Sequence, residues 1–441
     1  MLRVGFIFPT SHYLFDPFRG DPHTHFQILT VLEDRFEQRI EPLLIDLRGI
    51  KPEFAIYHIP ECDVYLHSVY TLDYNEQVEI VKQLRQSYPK AKHIAGGPHA
   101  VEFQDESLKI FDSLIIGEGE EKIKAAIQDV MDGKLKTKYV QEQRVDINAY
   151  PYPKRKYLPK SVIARKDVLS KKIRNGYEEL LGTTAMFSRG CPYSCAFCAM
   201  LETRKYIPGI RYRSPQLITE EIEYLKRDYG LKCISILDEI CFPPNRQQAI
   251  LHLEAIARTG IIWKGQSRVD GVDEELARLA AQSGCVSMGL GVESVSQKAL
   301  DIINKKVSIG RARETIRLLK KYNIQTRVYM ILGLPGEPED IVKQTWDFIQ
   351  ETGPDVVTLS LFTVRPGTEI FNNPKRFGLK RVDTDWSKTM HMYSRFDKEM
   401  PSLTFEYDEQ TPWGKGIRNE VIVENYLSLQ DKLKETGLSV L

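Results

Sequence analysis

The sequence predicts an α/β chain: a doubly wound, Rossmann-like N-terminal domain, then a partial (β/α)6 TIM-like barrel, then a small, mainly helical C-terminal cap. Three observations carry that prediction. Strand-like apolar runs alternate with amphipathic stretches over the first third of the chain, the regularity breaks in a proline-rich basic stretch, and a second series of six strand–helix repeats follows. Such alternation demands parallel pairing, because each crossover helix has to cover a face of the sheet.

At 441 residues the chain exceeds what one hydrophobic core ordinarily serves, so more than one domain is expected. A formal charge of +1 leaves no global field to attract nucleic acid or an anionic bilayer. Near the N-terminus, Pro9, Ser11, His12 and Asp16 interrupt the apolar run before a signal-peptide core or a membrane span can form. The expectation is a cytoplasmic protein with no membrane span and no nucleic-acid partner.

The first domain, residues 1–140, opens with VGFIF (4–8) and the amphipathic THFQILTVLEDRF (24–36). IEPLLID (40–46), DVYLHSV (63–69), NEQVEIVKQLRQSY (75–88), AKHIAGG (91–97) and SLIIGEGE (113–120) follow. Two strand ends run into glycine-rich turns, GGPHA (96–100) and GEGE (117–120), at the sheet edge where doubly wound folds bind ligands. In GDPHTHF (20–26), His23 and His25 read either as ligands or proton carriers, or as parts of a polar loop capping the next helix.

Residues 141–182 carry INAYPYPKRKYLPK and the basic RKDVLSKKIR, as a surface linker would. The barrel, 183–375, takes its strands from TTAMFSRG (183–190), CISILD (233–238), IIWKGQSR (261–268), VSMGLGVES (286–294), TRVYMILG (326–333) and DVVTLSLF (355–362). Barrels of this kind gather their sites at the C-terminal strand ends. The remainder, 376–441, holds Trp386, Trp413 and the helical pattern NEVIVENYLSLQDKLKET, enough for a cap.

The first barrel strand delivers SRGCPYSCAFCAM, with Cys191, Cys195 and Cys198 spaced by four and three residues. Three thiolates on one short loop suit three irons of a four-iron cluster and leave the fourth without a protein ligand. Structural zinc ordinarily takes a closed set of four ligands, and Cys62, Cys233, Cys241 and Cys285 are scattered singly. An odd total of seven cysteines argues against a disulfide framework.

This CxxxCxxC pattern, with the aromatic Phe197 before its third cysteine, resembles the cluster motif of the radical S-adenosylmethionine (SAM) superfamily. The resemblance implies a 4Fe-4S cluster whose open iron binds the methionine end of SAM, reductive cleavage to a 5′-deoxyadenosyl radical, an external one-electron reductant such as flavodoxin or ferredoxin, and an organic substrate that the sequence does not identify. It also implies cofactor contacts from later strand ends: Asp238 and Glu239 in LDEICF, Ser267 and Arg268 in SRVD, Glu293 and Ser294 in GLGVES, and Gly333 in GLPGE. Each of these, taken alone, equally reads as a helix cap or loop residue. Arg211 and Arg213 read as substrate-facing or, more simply, as solvated.

HIAGGPHA, IIGEGE and the PYPKR linker resemble the branch of that superfamily with an N-terminal cobalamin-binding domain. By that resemblance Gly96, Gly97, Pro98 and His99, with Gly117, Glu118 and Gly119, approach the corrin. The DxHxxG motif that supplies a histidine ligand elsewhere is absent, which fits base-off cobalamin and equally fits a domain that binds none. The implied reaction is methylation of an unactivated carbon, with ring formation, as in anaerobic tetrapyrrole cyclases, as the alternative. An iron–sulfur electron carrier or a cobalamin-handling protein is the reading from another class.

Overall fold

The structure, a computed structural model, describes residues 1–14, 16–169, 172–173, 176–200, 209–385 and 403–439. They form two compact units, the first chiefly Met1–Pro159, the second Lys160–Cys198 with Ile210–Thr384 and the C-terminal segment. The proline-rich stretch 141–182 is therefore shared between the units.

The first unit is a six-stranded parallel sheet of β1 (Leu2–Phe8), β2 (Ile40–Asp46), β3 (Val64–Ser68), β4 (Lys92–Gly96), β5 (Ser113–Ile116) and β6 (Lys138–Val140), in the order β2-β1-β3-β4-β5-β6. Alternation along each strand sends side chains to both faces. Val4, Phe6, Val64 and Leu66 pack with Ile28 and Leu29 of helix His23–Phe36 and with Ile123 and Ile127 of helix Gly119–Met131. Ile7 and Tyr65 pack on the other side with Ile80 and Leu84 of helix Tyr74–Ser87. The sheet is thus covered on both faces, as doubly wound sheets are. β6 was not foreseen, because three residues are too few to show a period.

The second unit holds six parallel strands: β7 (Gly182–Ala185), then, after the short antiparallel pair β8 (Ser188–Arg189) and β9 (Arg211–Tyr212), β10 (Cys233–Ile236), β11 (Ile262–Arg268), β12 (Cys285–Glu293), β13 (Gln325–Leu332) and β14 (Val356–Leu361). Their order β14-β13-β12-β11-β10-β7 follows the chain from one edge to the other, the arrangement of an open half-barrel. Val328, Met330 and Leu332 of β13 and Val357, Leu359 and Leu361 of β14 enter one core with Ile316 and Leu319 of helix Ile309–Lys321 and Phe348 of helix Ile341–Thr352. The alternate residues Arg327, Tyr329, Thr358 and Ser360 face the concave side. At the N-terminal strand ends, Leu169 and Ile173 pack against Cys233 with Ile262 and Val286, stopping the barrel at that end.

The C-terminal segment adds two short antiparallel pairs to the expected helix. Helix Asn419–Glu435 forms as its pattern predicts, but β15 (Leu379–Val382) pairs antiparallel with β16 (Phe405–Tyr407), and β17 (Gln410–Thr411) with β18 (Gly414–Lys415). Leu379, Phe405 and Tyr407 are buried while Lys380 pairs with Glu406 outside, a period of two too short to read from the sequence. The helix packs beside β14, whose Val357 N donates to Leu438 O at 2.9 Å, so the open sheet edge is covered. Trp386 lies outside the described residues.

Candidate functional site

The cysteine loop springs from a clamped base. Phe187, just past β7, donates its N–H to Asp238 Oδ1 at 2.7 Å and accepts from Arg213 N at 2.7 Å. Asp238 is buried, and desolvation pushes its carboxyl up to about 7. It therefore holds the strand that leads to the cysteines. Arg213 is buried, not solvated, and its carbonyl meets His252 Nε2 at 3.1 Å. Glu239 faces solvent, yet its surroundings desolvate it enough to raise its carboxyl.

Within the loop, Ala196 N donates to Ile303 O at 2.8 Å, Ile370 N to Ala196 O at 3.2 Å, and Asn304 Nδ2 to Ser194 O at 2.9 Å. Cys195 is buried and Cys191 and Cys198 are half-buried; none of the seven cysteines forms a disulfide. Among the described residues no three Cys, His, Asp or Glu side chains close round one point as a lone ion requires. A four-iron cluster asks for something different: thiolates on separate corners of a larger body, which a fixed loop with three cysteines fits.

Arg268 is buried against this loop. Its Nε and Nη2 reach Asp270 at 2.9 and 3.0 Å, Nη2 also reaches Lys305 O at 2.7 Å, and Nη1 lies 3.7 Å from Cys195 Sγ. The guanidinium carbon sits 3.7 Å from the centre of the Tyr193 ring. Ser267, expected beside it, turns the other way by strand alternation, towards the layer that holds Trp263; its buried hydroxyl has no hydrogen-bond partner among the described residues.

At the end of β12, Glu293 has φ +69, a conformation that costs a non-glycine residue about 1 kcal/mol or more. Its carboxylate accepts from Lys305 Nζ at 2.6 Å. Gly291 makes room, since a Cβ there would lie 2.6 Å from Glu293 Oε1 and 3.0 Å from Lys305 Nζ. Lys305 Nζ lies 5.9 Å from the centre of the Phe197 ring. Ser294 Oγ donates to Glu337 Oε1 at 2.7 Å and Gly333 N donates to Glu337 Oε2 at 2.8 Å. Burial raises Glu337 to about 7. The structure thus brings Cys195, Phe197, Arg268 and Glu293 together through Lys305, and Ser294 and Gly333 through Glu337. Lys305, Glu337 and Tyr193 escaped sequence reasoning; only their place beside INKK, GLPGE and CPYSC hinted at them.

In the first unit, Gly97 has φ +90, and a Cβ there would stand 2.8 Å from both N and O of Val69. Gly117, with φ +92, meets Gln141 O in the same way at 3.0 Å. These turns need glycine for the chain's own close approaches. Gly96 ends β4, and Pro98 opens helix Pro98–Glu102. His99 is buried, stacked on Tyr74 at 4.1 Å with Nδ1 3.1 Å from Thr71 Oγ1, and burial lowers it to about 4. Glu118 Oε2 accepts from Val145 N at 3.1 Å, and Gly119 opens its helix against Ile28. His25 is also buried, its Nε2 3.0 Å from Ile7 O, while His23 sits half-buried at a helix start.

Among the described residues no helix is long and apolar enough to cross a membrane. Residues 186–349 match the model of the Radical SAM superfamily. Over 288 residues, 63% of this chain and 62% of the relative, the chain is 27% identical to an uncharacterised methyltransferase of Pyrococcus horikoshii. Over 192 residues it is 31% identical to an anaerobic magnesium-protoporphyrin IX monomethyl ester cyclase of Cereibacter sphaeroides, covering 42% of this chain and 30% of that one. The chain thus spans less than two thirds of the length of these two curated relatives. In fold it is similar to the radical S-adenosylmethionine methyltransferase TsrM from Kitasatospora setae, solved with cobalamin and a 4Fe-4S cluster bound. That match has TM-score 0.70 and 17% identity and covers 100% of this chain and 93% of the other. Residues 186–349, and the cysteine loop they carry, are thus where this chain is similar to the Radical SAM superfamily.

Proposed function

We propose that the chain is a cobalamin-dependent radical SAM methylase acting on an unactivated carbon of an organic substrate. The observation that carries this is the loop of Cys191, Cys195 and Cys198, three thiols clamped at the C-terminal end of a half-barrel with no fourth cysteine on the loop. Cys191, Cys195 and Cys198 would hold a 4Fe-4S cluster with one iron left for SAM, and the cluster would supply the electron for reductive SAM cleavage. This chain's residues orient and shield. Asp238 and Asn304 fix the loop, and Arg268 places positive charge beside Cys195. Glu239, Glu293, Ser294 and Gly333 stand at strand ends, and Phe197 on the cysteine loop, where SAM would be met. Of the SAM contacts that the sequence suggests, Asp238 and Arg268 serve the loop first, and Ser267 turns away from the concave face.

For cobalamin, the first unit has the strand-end turns Gly96–His99 and Gly117–Gly119, and the half-exposed Tyr70 and Leu72 follow β3 as an apolar edge suited to a corrin. His25, His67, His93 and His99 are buried away from such a ligand, whereas His12, His23 and His58 are not. Cobalamin there would supply the methyl group. A second reading, ring formation without methyl transfer, is favoured by the similarity to the cyclase. A cytoplasmic setting with flavodoxin or ferredoxin as reductant goes with this reading.

Anaerobic reconstitution followed by a visible spectrum and assay of 5′-deoxyadenosine tests the reading. Cluster absorbance, reductive SAM cleavage and a bound cobalamin band are expected, and Cys191→Ala abolishes the first two. A chain that binds the cluster but never cleaves SAM is a carrier, and the proposal fails.

A further inference from the structure

We propose that the concave face of the half-barrel carries an oxyanion site for an acidic group of the substrate, built on Arg327 and Thr358. This rests on the reading of the second unit as a SAM-cleaving enzyme. Both residues are 8% exposed. Val328, Met330, Val357 and Leu359 alternate with them and enter the helical core, so Arg327 and Thr358 face the concave side. Among the described residues Arg327 makes no side-chain hydrogen bond or ion pair while its guanidinium nitrogens keep some contact with solvent, and Thr358 Oγ1 is buried without a hydrogen-bond partner. The two strands are neighbours, with Arg327 beside Val356 and Tyr329 beside Thr358.

A guanidinium on a largely buried side chain with no counter-charge beside it is poised to take an anion, and a buried hydroxyl without a partner is costly. An oxyanion supplies what both lack: a charge for the fork of Arg327 and an acceptor for Thr358. Tyr329 swings its ring over Gly289, 2.6 Å from where a Cβ would stand, leaving the strip beside Arg327 lined by backbone rather than by a carboxylate.

Position separates this site from the methionine carboxylate of SAM. Arg327 lies five residues before Leu332, the end of its strand (332 − 327), or roughly 16 Å at about 3.3 Å per residue. The cysteine loop lies at the opposite, C-terminal end. The substrate inferred is therefore elongated, with a carboxylate or phosphate remote from the carbon that reacts.

The test uses the reconstituted full chain and, as probes, acetate and inorganic phosphate against chloride at equal ionic strength, read as melting temperature by circular dichroism. The wild-type chain is expected to gain several degrees in acetate, in phosphate or in both. Gain in acetate alone assigns a carboxylate, gain in phosphate alone a phosphate, and gain in both the shared oxyanion chemistry. Arg327→Met is expected to lose the anion response more than tenfold in concentration. Thr358→Val, the milder change, shifts that response about threefold. No anion response in wild type, or the same response in Arg327→Met, overturns the site. Cluster absorbance in the same samples keeps the two readings apart: a cluster without anion response sinks only this inference, whereas no cluster sinks the reading beneath it.

Discussion

Arg268 holds its Nη1 3.7 Å from Sγ of Cys195, the one buried thiol of the three-cysteine loop. Asp270, the carbonyl of Lys305 and the Tyr193 ring fix that guanidinium, so it has little freedom to turn away. A cation beside a thiolate favours the more negative, reduced cluster. Arg268→Gln is expected to lower the cluster midpoint by roughly 50 mV, the equivalent of about 1 kcal/mol in a one-electron couple. Arg268→Lys recovers part of the shift. Redox titration followed by electron paramagnetic resonance checks it, and identical midpoints in all three proteins would refute the role.

Iron content separates the loop thiols from the rest. Burial pushes Cys62 up to about 12 and Cys233 to about 11, and raises Cys241 and Cys285 as well, so these thiols stay protonated and poor ligands. Cys62→Ala and Cys285→Ala are expected to reconstitute with full iron. Cys195→Ala is expected to lose the cluster.

Lys305 and Glu293 form a buried pair, and removing one partner strands the other. Lys305→Met is expected to cost about 3–5 kcal/mol in urea unfolding. Adding Glu293→Gln recovers much of it, because the stranded charge goes. Additive losses in the double variant would show that the two side chains do not interact.

Glu337 sets a pH dependence. Burial raises its carboxyl from 4.5 to about 7, so between these values the folded chain keeps a proton that the unfolded chain has released. Its contribution to stability is complete below about pH 4.5 and is lost as the pH rises to about 7. Glu337→Gln keeps an acceptor for Gly333 N and is expected to flatten that slope, ending about 1–3 kcal/mol more stable than wild type at pH 8. Melting curves between pH 4 and 8 decide it.

The main strands were legible because each carries an apolar run bounded by polar or glycine residues; Cys233–Ile236 and Val356–Leu361 lie within a residue or two of where periodicity puts them. Short elements were not, since Lys138–Val140 and the antiparallel pairs after Phe377 offer too few residues for a period. In the site, the cysteines were legible from spacing alone. The groups that hold them were not: Asn304 and Lys305 are far along the chain from Ser194 and Cys195, and only folding makes them neighbours. Arg213 and Ser267 were misjudged for a related reason. A polar residue at a strand end looks exposed in sequence, yet strand alternation and a packed neighbour decide which way it turns.

Leu169 and Ile173, packed against Cys233, close the barrel where its strands begin. A half-barrel covered where its strands begin leaves the opposite strand ends, where the cysteine loop stands, as the side from which a molecule would be received.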